Sequence, residues 1–114
     1  MSELASVEQV VTEPLIYLLD ADSGTLERVD ELLADAGLAA VACTSAAAFF
    51  DSFQAGRVGC LVLDLALGDA NGLAIQQEIC DRGLTLPVVF LSKFADVSAG
   101  VAAMKAGALD FLTK

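Results

Sequence analysis

Four short apolar runs in this sequence each end on a side chain that could do chemistry. LLDAD at 18–22 closes on Asp20 and Asp22, CLVLD at 60–64 on Asp64, VVFLS at 88–92 on Ser92, and FLTK at 111–114 on Lys114. Three carboxylates, a hydroxyl and an ammonium make a coherent set if the fold gathers them. Two carboxylates about 4 Å apart repel by about 4 kcal/mol at an effective dielectric near 20, so they favour a divalent cation between them. Oxygen donors suit Mg²⁺, which takes one or two carboxylates together with water and phosphoryl oxygens. An aspartate so placed can attack phosphorus and form an aspartyl phosphate, while a hydroxyl and an ammonium bind the equatorial oxygens. A lone carboxylate at a strand end is more often a solvated cap. Delivery of the whole set to one edge by four strands reverses that reading.

The elements that must do the positioning are legible in the same runs. Five apolar blocks, at 15–19, 39–43, 60–63, 88–91 and 108–112, are continuous rather than alternating, as in parallel strands buried on both faces. Helical spacing fills the gaps: Leu26, Val29, Leu32, Leu33 and Ala36 in the first, and Phe49, Phe50 and Phe53 in the second. Leu73, Ile75, Ile79 and Cys80 mark the third, and Val97, Val101 and Met104 the fourth. Gly37, Gly56, Gly83 and Gly107 follow as stop signals. Alternating strand and helix with short links implies right-handed crossovers and a doubly wound α/β sheet, whose ligands bind at the carboxyl ends of the strands. Asp64, central in such a sheet, is the natural nucleophile.

Composition bounds the rest. The 114 residues suffice for one domain, and 56% hydrophobic with 19% charged residues excludes disorder over most of the length. No apolar block approaches the ~18 residues of a membrane span. The acidic opening at 1–14 lacks the basic start of a secretory signal, and reads as an N-terminal arm or a short helix. Six basic against 16 acidic residues give a charge of −10, which disfavours nucleic acid as a direct partner. With no histidine and no CxxC pair, zinc sites and Cys-His or Ser-His catalysis have no material. Cys43, Cys60 and Cys80 lie in or beside apolar runs and are expected to be buried thiols in a reducing cytoplasm. The phenylalanine trio, with no interleaved basic residues, is expected in the core. Four helices on five strands leave one sheet face half covered, so this chain is expected to be the front part of something longer or to cover that face with a partner.

The stretches LLDAD at 18–22, GCLVLDLALGDANG at 59–72, LPVVFLS at 86–92 and AMKAGALDFLTK at 103–114 resemble the receiver domains of two-component response regulators, the CheY-like superfamily. The likeness is greatest to receivers of FixJ-type transcriptional regulators, and it runs from about Leu15 to the end. It implies a flavodoxin-like five-stranded parallel sheet of order 2-1-3-4-5, here without its last helix, as a receiver domain over 15–114 after an arm at 1–14. By the same resemblance Asp64 is the phosphoacceptor, and Mg²⁺ is held by Asp20, Asp64 and the backbone carbonyl of Ala66, with Asp22 a further candidate. Ser92 would be the switch hydroxyl, Phe111 the aromatic switch and Lys114 the phosphoryl-contacting lysine. The implied partners are a histidine kinase and a second copy paired through the fourth helix and fifth strand. DNA would be reached only through an output domain beyond 114, in the cytoplasm, and no membrane is involved.

Three departures from that family pattern stand near the pocket. The family carries adjacent acids after the first strand, the second binding metal directly; here the pair reads Asp20-Ala21, with Asp22 one step later. The residue after the switch hydroxyl, normally small, is Lys93, and the proline four past the phosphoacceptor is Gly68. These departures support an alternative, an atypical receiver acting as a phosphorylation-independent interaction module. A second alternative rests on LLDADSGTL at 18–26, which is similar to the DxDGT motif of haloacid-dehalogenase-type phosphatases and would make Asp20 the nucleophile and Asp22 the acid/base. Ser23, inserted before the Gly-Thr pair, weighs against it.

Overall fold

A computed structural model describes residues 14–67, 70–93 and 97–113 of the chain. In order these form β1 (Leu15–Leu19), α1 (Ser23–Asp35), β2 (Ala39–Cys43), α2 (Ala46–Ser52) and β3 (Gly59–Asp64). There follow β4 (Ala66–Leu67), β5 (Ala70–Asn71), α3 (Gly72–Asp81), β6 (Val88–Ser92), α4 (Val97–Lys105) and β7 (Asp110–Thr113). Five strands make one sheet in the order β2-β1-β3-β6-β7, with every neighbouring pair parallel. Set aside the two-residue antiparallel ribbon β4-β5, and this is the expected 2-1-3-4-5 order.

Side chains alternate between the two faces of this sheet. On one face Leu15, Tyr17, Leu19, Leu61, Leu63, Val88 and Phe90 pack with Phe49 of α2, Ile75 and Ile79 of α3 and Ala103 of α4 into a single core. On the other face Leu18, Val62 and Leu91 meet Leu26 and Val29 of α1. That second face is thinly covered: Leu112 on β7 is 46% exposed. Under α2 the phenylalanines are core, as expected. Phe49 stacks edge-on against Tyr17 at 5.4 Å, and Phe50 and Phe53 pack around it. The Tyr17 hydroxyl accepts the Gln54 backbone N–H at 2.9 Å, which satisfies its polar end.

Helix starts follow cap chemistry. Asp22, Ser45 and Asn71 occupy the N-cap positions of α1, α2 and α3, each side chain accepting a backbone N–H of the first turn. At the close of α4, Gly107 adopts φ +99°, and the Ala108 N–H still bonds the Ala103 carbonyl. The fifth sheet strand therefore starts at Asp110, two residues later than the apolar block at 108 suggests.

Three burial expectations need correction. Leu32 is 67% exposed, while Val101 and Met104 are each 48% exposed, so these members of the helical stripes face outward. On α4 the small Ala103 fills the core position, and the Val97 side chain lies outside the described residues. Only Cys43 is a fully buried thiol; Cys60 is half-buried and Cys80 exposed on the outer side of α3. Among the described residues no helix is long and apolar enough to cross a membrane.

Candidate functional site

The parallel register decides which strand ends meet. Leu19 lies beside Leu63, and Asp64 beside Leu91, so Asp20, Asp64 and Ser92 stand at the carboxyl ends of three adjacent strands, β1, β3 and β6. Each is buried, at 4%, 8% and 6% exposure respectively. Asp20 and Asp64 line one small cavity of about 10 Å³ with Thr25, room for about one water molecule. Both carboxylates are oriented by the loops that follow them. Asp20 Oδ1 accepts the Asp22 N–H at 2.9 Å, and Asp64 Oδ1 accepts the Ala66 N–H at 3.1 Å. Such turns hold an aspartate two residues ahead of its donor and leave the second oxygen for other contacts.

Asp22 caps α1. Its Oδ1 accepts the Gly24 N–H at 3.0 Å and its Oδ2 accepts the Thr25 hydroxyl at 2.9 Å, both within the first turn of α1. The Thr25 hydroxyl and then the Gly24 N–H hold this carboxyl below the usual aspartate range, with the charge of exposed Lys93 a smaller contributor. Each Asp22 oxygen thus accepts one hydrogen bond from the first turn of α1, the work of a helix cap. Ala21, exposed between the two aspartates, offers no donor.

The donor set fits Mg²⁺ sparingly. Asp20 and Asp64 supply two carboxylates, and the Ala66 carbonyl stands on the loop directly after Asp64, a set compatible with an ion that keeps several waters. Among the described residues no three carboxylates or thiols gather into a fuller site. Phe111 lies on β7, half-buried, its ring 6.3 Å from that of Phe90, and a methyl group on Gly100 of α4 would sit 3.7 Å from it. Lys114, Gly68 and Asp69 fall outside the described residues; Thr113, the residue before Lys114, pairs with Ser92.

Two residues near this edge are not found by sequence reasoning. Gly72 opens α3 directly beneath Asp64, where a Cβ would come within 2.5 Å of the Asp64 carbonyl oxygen and 3.0 Å of the Phe90 ring. Its N–H bonds the Leu65 carbonyl, which seats the loop after the phosphoacceptor candidate. The Asn-Gly pair at 71–72, a turn signal, is the available clue. Gln76, one turn on, is 3% exposed with no hydrogen-bond partner for its Oε1, and no pattern in the sequence announces it.

A family profile described as "Response regulator receiver domain" matches residues 16–114. Response regulator protein TodT of Pseudomonas putida is 36% identical over 114 residues, covering 100% of this chain and 47% of its own. Transcriptional regulatory protein FixJ of Azorhizobium caulinodans is 37% identical over 99 residues, 87% of this chain and 47% of its own. The chain thus spans about half the length of the curated relatives it matches. Among solved structures, FixJ-N superposes with a TM-score of 0.80 at 30% identity over 90% of this chain and 82% of its own. Response regulator StyR superposes with a TM-score of 0.82 at 31% identity over 90% of this chain and 52% of its own.

Proposed function

This chain belongs to the response regulator receiver family, and from that premise we propose that it accepts a phosphoryl group on Asp64 from the phosphohistidine of a separate kinase. The observation that carries the reading is the burial of Asp20, Asp64 and Ser92 together at the carboxyl ends of three adjacent parallel strands. A carboxylate oxygen of Asp64 attacks phosphorus as the P–N bond breaks; the electron pair leaves with the histidine nitrogen, which then takes a proton. Ser92 donates its hydroxyl to a phosphoryl oxygen, and Lys114 is assigned a second contact. When bound by Asp20, Asp64 and the Ala66 carbonyl, Mg²⁺ would neutralise charge on the phosphoryl oxygens. Phosphorylation then biases two states of the α4–β7 face, where Phe111 meets Gly100 and where Val101, Met104 and Leu109 are exposed. That face is assigned to pairing with a second copy. Transcriptional control is assigned to an output domain outside this sequence, and the setting to the cytoplasm.

The second reading, a module working through that face without phosphorylation, is favoured by Ala21 and by the capping role of Asp22. Incubation with acetyl phosphate and Mg²⁺ separates the two readings. A single phosphoryl mass increment on Asp64, abolished by Asp64→Asn, supports the receiver reading. No increment supports the silent module, and release of inorganic phosphate that depends on Asp20 but survives Asp64→Asn would support the phosphatase.

A further inference from the structure

Lys93 follows Ser92 directly at the carboxyl end of β6, where the family pattern has a small residue. Phosphoryl transfer as described gives it no part. Leu91 lines the cavity shared by Asp20 and Asp64, and residues two apart on a strand share a face, so Lys93 extends the Leu91 face past the strand end. The sheet order sets β3 between β1 and β6. Neighbouring strands lie about 4.8 Å apart, which puts the ends of β1 and β6 about 10 Å apart with Asp64 between them. After the Thr25 hydroxyl and the Gly24 N–H, the Lys93 charge also helps to hold the Asp22 carboxyl below its ordinary value, and it acts across that gap. A charge that leaves the end of β6 and is felt on the loop after β1 passes over the end of β3, where Asp64 stands.

An ammonium at that place has work to do. Asp20 and Asp64 are buried carboxylates, and Ala21 leaves the pocket one donor short for a metal. Lysine is a compact point charge with three donors on a flexible stem, and Lys93 is exposed, so its stem is free to swing over the pocket mouth. With Asp64 as the phosphoacceptor, a reading on which this one rests, we propose that Lys93 is a phosphoryl-contacting residue. Its ammonium binds an oxygen of the group on Asp64 and supplies positive charge that a pocket with Ala21 draws less from Mg²⁺. Two consequences follow from the charge alone. Phosphorylation of Asp64 becomes partly independent of metal, and Mg²⁺ binds against the repulsion of a resident cation.

Acetyl phosphate and Mg²⁺ titration test this on the 114-residue chain. With acetyl phosphate, Asp64 attacks phosphorus as the bond to the acetate oxygen breaks, and the electron pair leaves with acetate. In chelator the parent is expected to gain a phosphoryl mass increment on Asp64. Lys93→Ala should be labelled at least about tenfold more slowly there, the worth of a hydrogen bond to a charged group, and Lys93→Arg should keep most of the parent rate. Saturating Mg²⁺ should narrow the gap between parent and Lys93→Ala. Titrated with Mg²⁺ alone, unphosphorylated Lys93→Ala should bind the ion about three- to fivefold more tightly than the parent, with a smaller gain in molar salt. Equal Mg²⁺ affinity in the two proteins overturns the proposal. So does a parent labelled in Mg²⁺ but not in chelator, or Lys93→Ala labelled as fast as the parent in chelator. A parent unlabelled in saturating Mg²⁺ refutes the phosphoacceptor reading instead, and the titration then decides the place of Lys93 by itself.

Discussion

Restoring the missing acid at position 21 is the sharpest perturbation the pocket offers. Ala21 stands exposed between Asp20, buried with its Oδ1 held by the Asp22 N–H, and Asp22, committed to the α1 cap. A carboxylate here adds a third charge beside Asp20 and Asp64. Each like pair at about 4 Å costs about 1 kcal/mol in water and about 4 kcal/mol at an effective dielectric of 20. With position 21 exposed and its neighbours buried, the cost lies between these limits, so Ala21→Asp should destabilise the metal-free protein. A divalent cation doubles the Coulomb energy of each contact, and even after dehydration the gain should match what weaker supporting contacts supply, about 10- to 100-fold in affinity. Isothermal titration with Mg²⁺ reads the affinity, and thermal melts with and without the ion read the compensation. The variant should melt below the parent in chelator and regain the difference in Mg²⁺. Unchanged Mg²⁺ affinity would show that position 21 does not face the cavity shared by Asp20 and Asp64, and the account of the pocket would fail.

Other substitutions probe the scaffold. Phe49→Ala removes a ring with no exposure from among Tyr17, Phe50 and Phe53 and should cost about 3–5 kcal/mol, read by urea unfolding. Asp22→Ala should lower the melting temperature, and Asp22→Asn should restore most of the loss, because either oxygen acceptor caps α1. The folded carboxyl of Asp22 titrates below its ordinary value of 3.8, so its contribution is complete above that value and is lost as pH falls through and below it. The difference in melting temperature between the parent and the Asp22→Asn variant should therefore shrink in acid. Burial raises the Cys60 thiol above its usual range, so alkylation near neutral pH should label Cys80 first, Cys60 more slowly and Cys43 last.

What is legible in the sequence follows from how long a pattern must run to be seen. β1 and β2 match their apolar blocks at both ends, with Pro14 and Asp20 flanking the first and Gly37 and Thr44 within two residues of the second. The β4–β5 ribbon, two residues on each side, is too short to carry any period. Stripe reading says which residues share a helical face but not whether that face meets another layer. Leu32 is exposed on α1, the one described helix against its side of the sheet. Three of the five strand-end groups, Asp20, Asp64 and Ser92, are brought together as their positions suggest. Asp22 is ambiguous in the sequence because metal chemistry and N-capping favour the same residue type. Thr25, three residues on with a hydroxyl turned back to the carboxylate, is the detail that marks the cap. The seat of Gly72 under Asp64 depends on how closely α3 approaches β3, a distance no local pattern encodes.

The outermost strand β2 has a practical consequence. It reads Ala-Ala-Val-Ala-Cys, without the lysine or proline that commonly keeps a sheet margin from recruiting another molecule. Mutual repulsion between molecules carrying −10 each has to do that work from a distance. Such repulsion reaches only about 3 Å in molar salt, and it vanishes near the isoelectric point of about 4.1. Precipitation during ammonium sulfate cuts or acid steps, through strands laid margin to margin, is the handling problem this sheet invites.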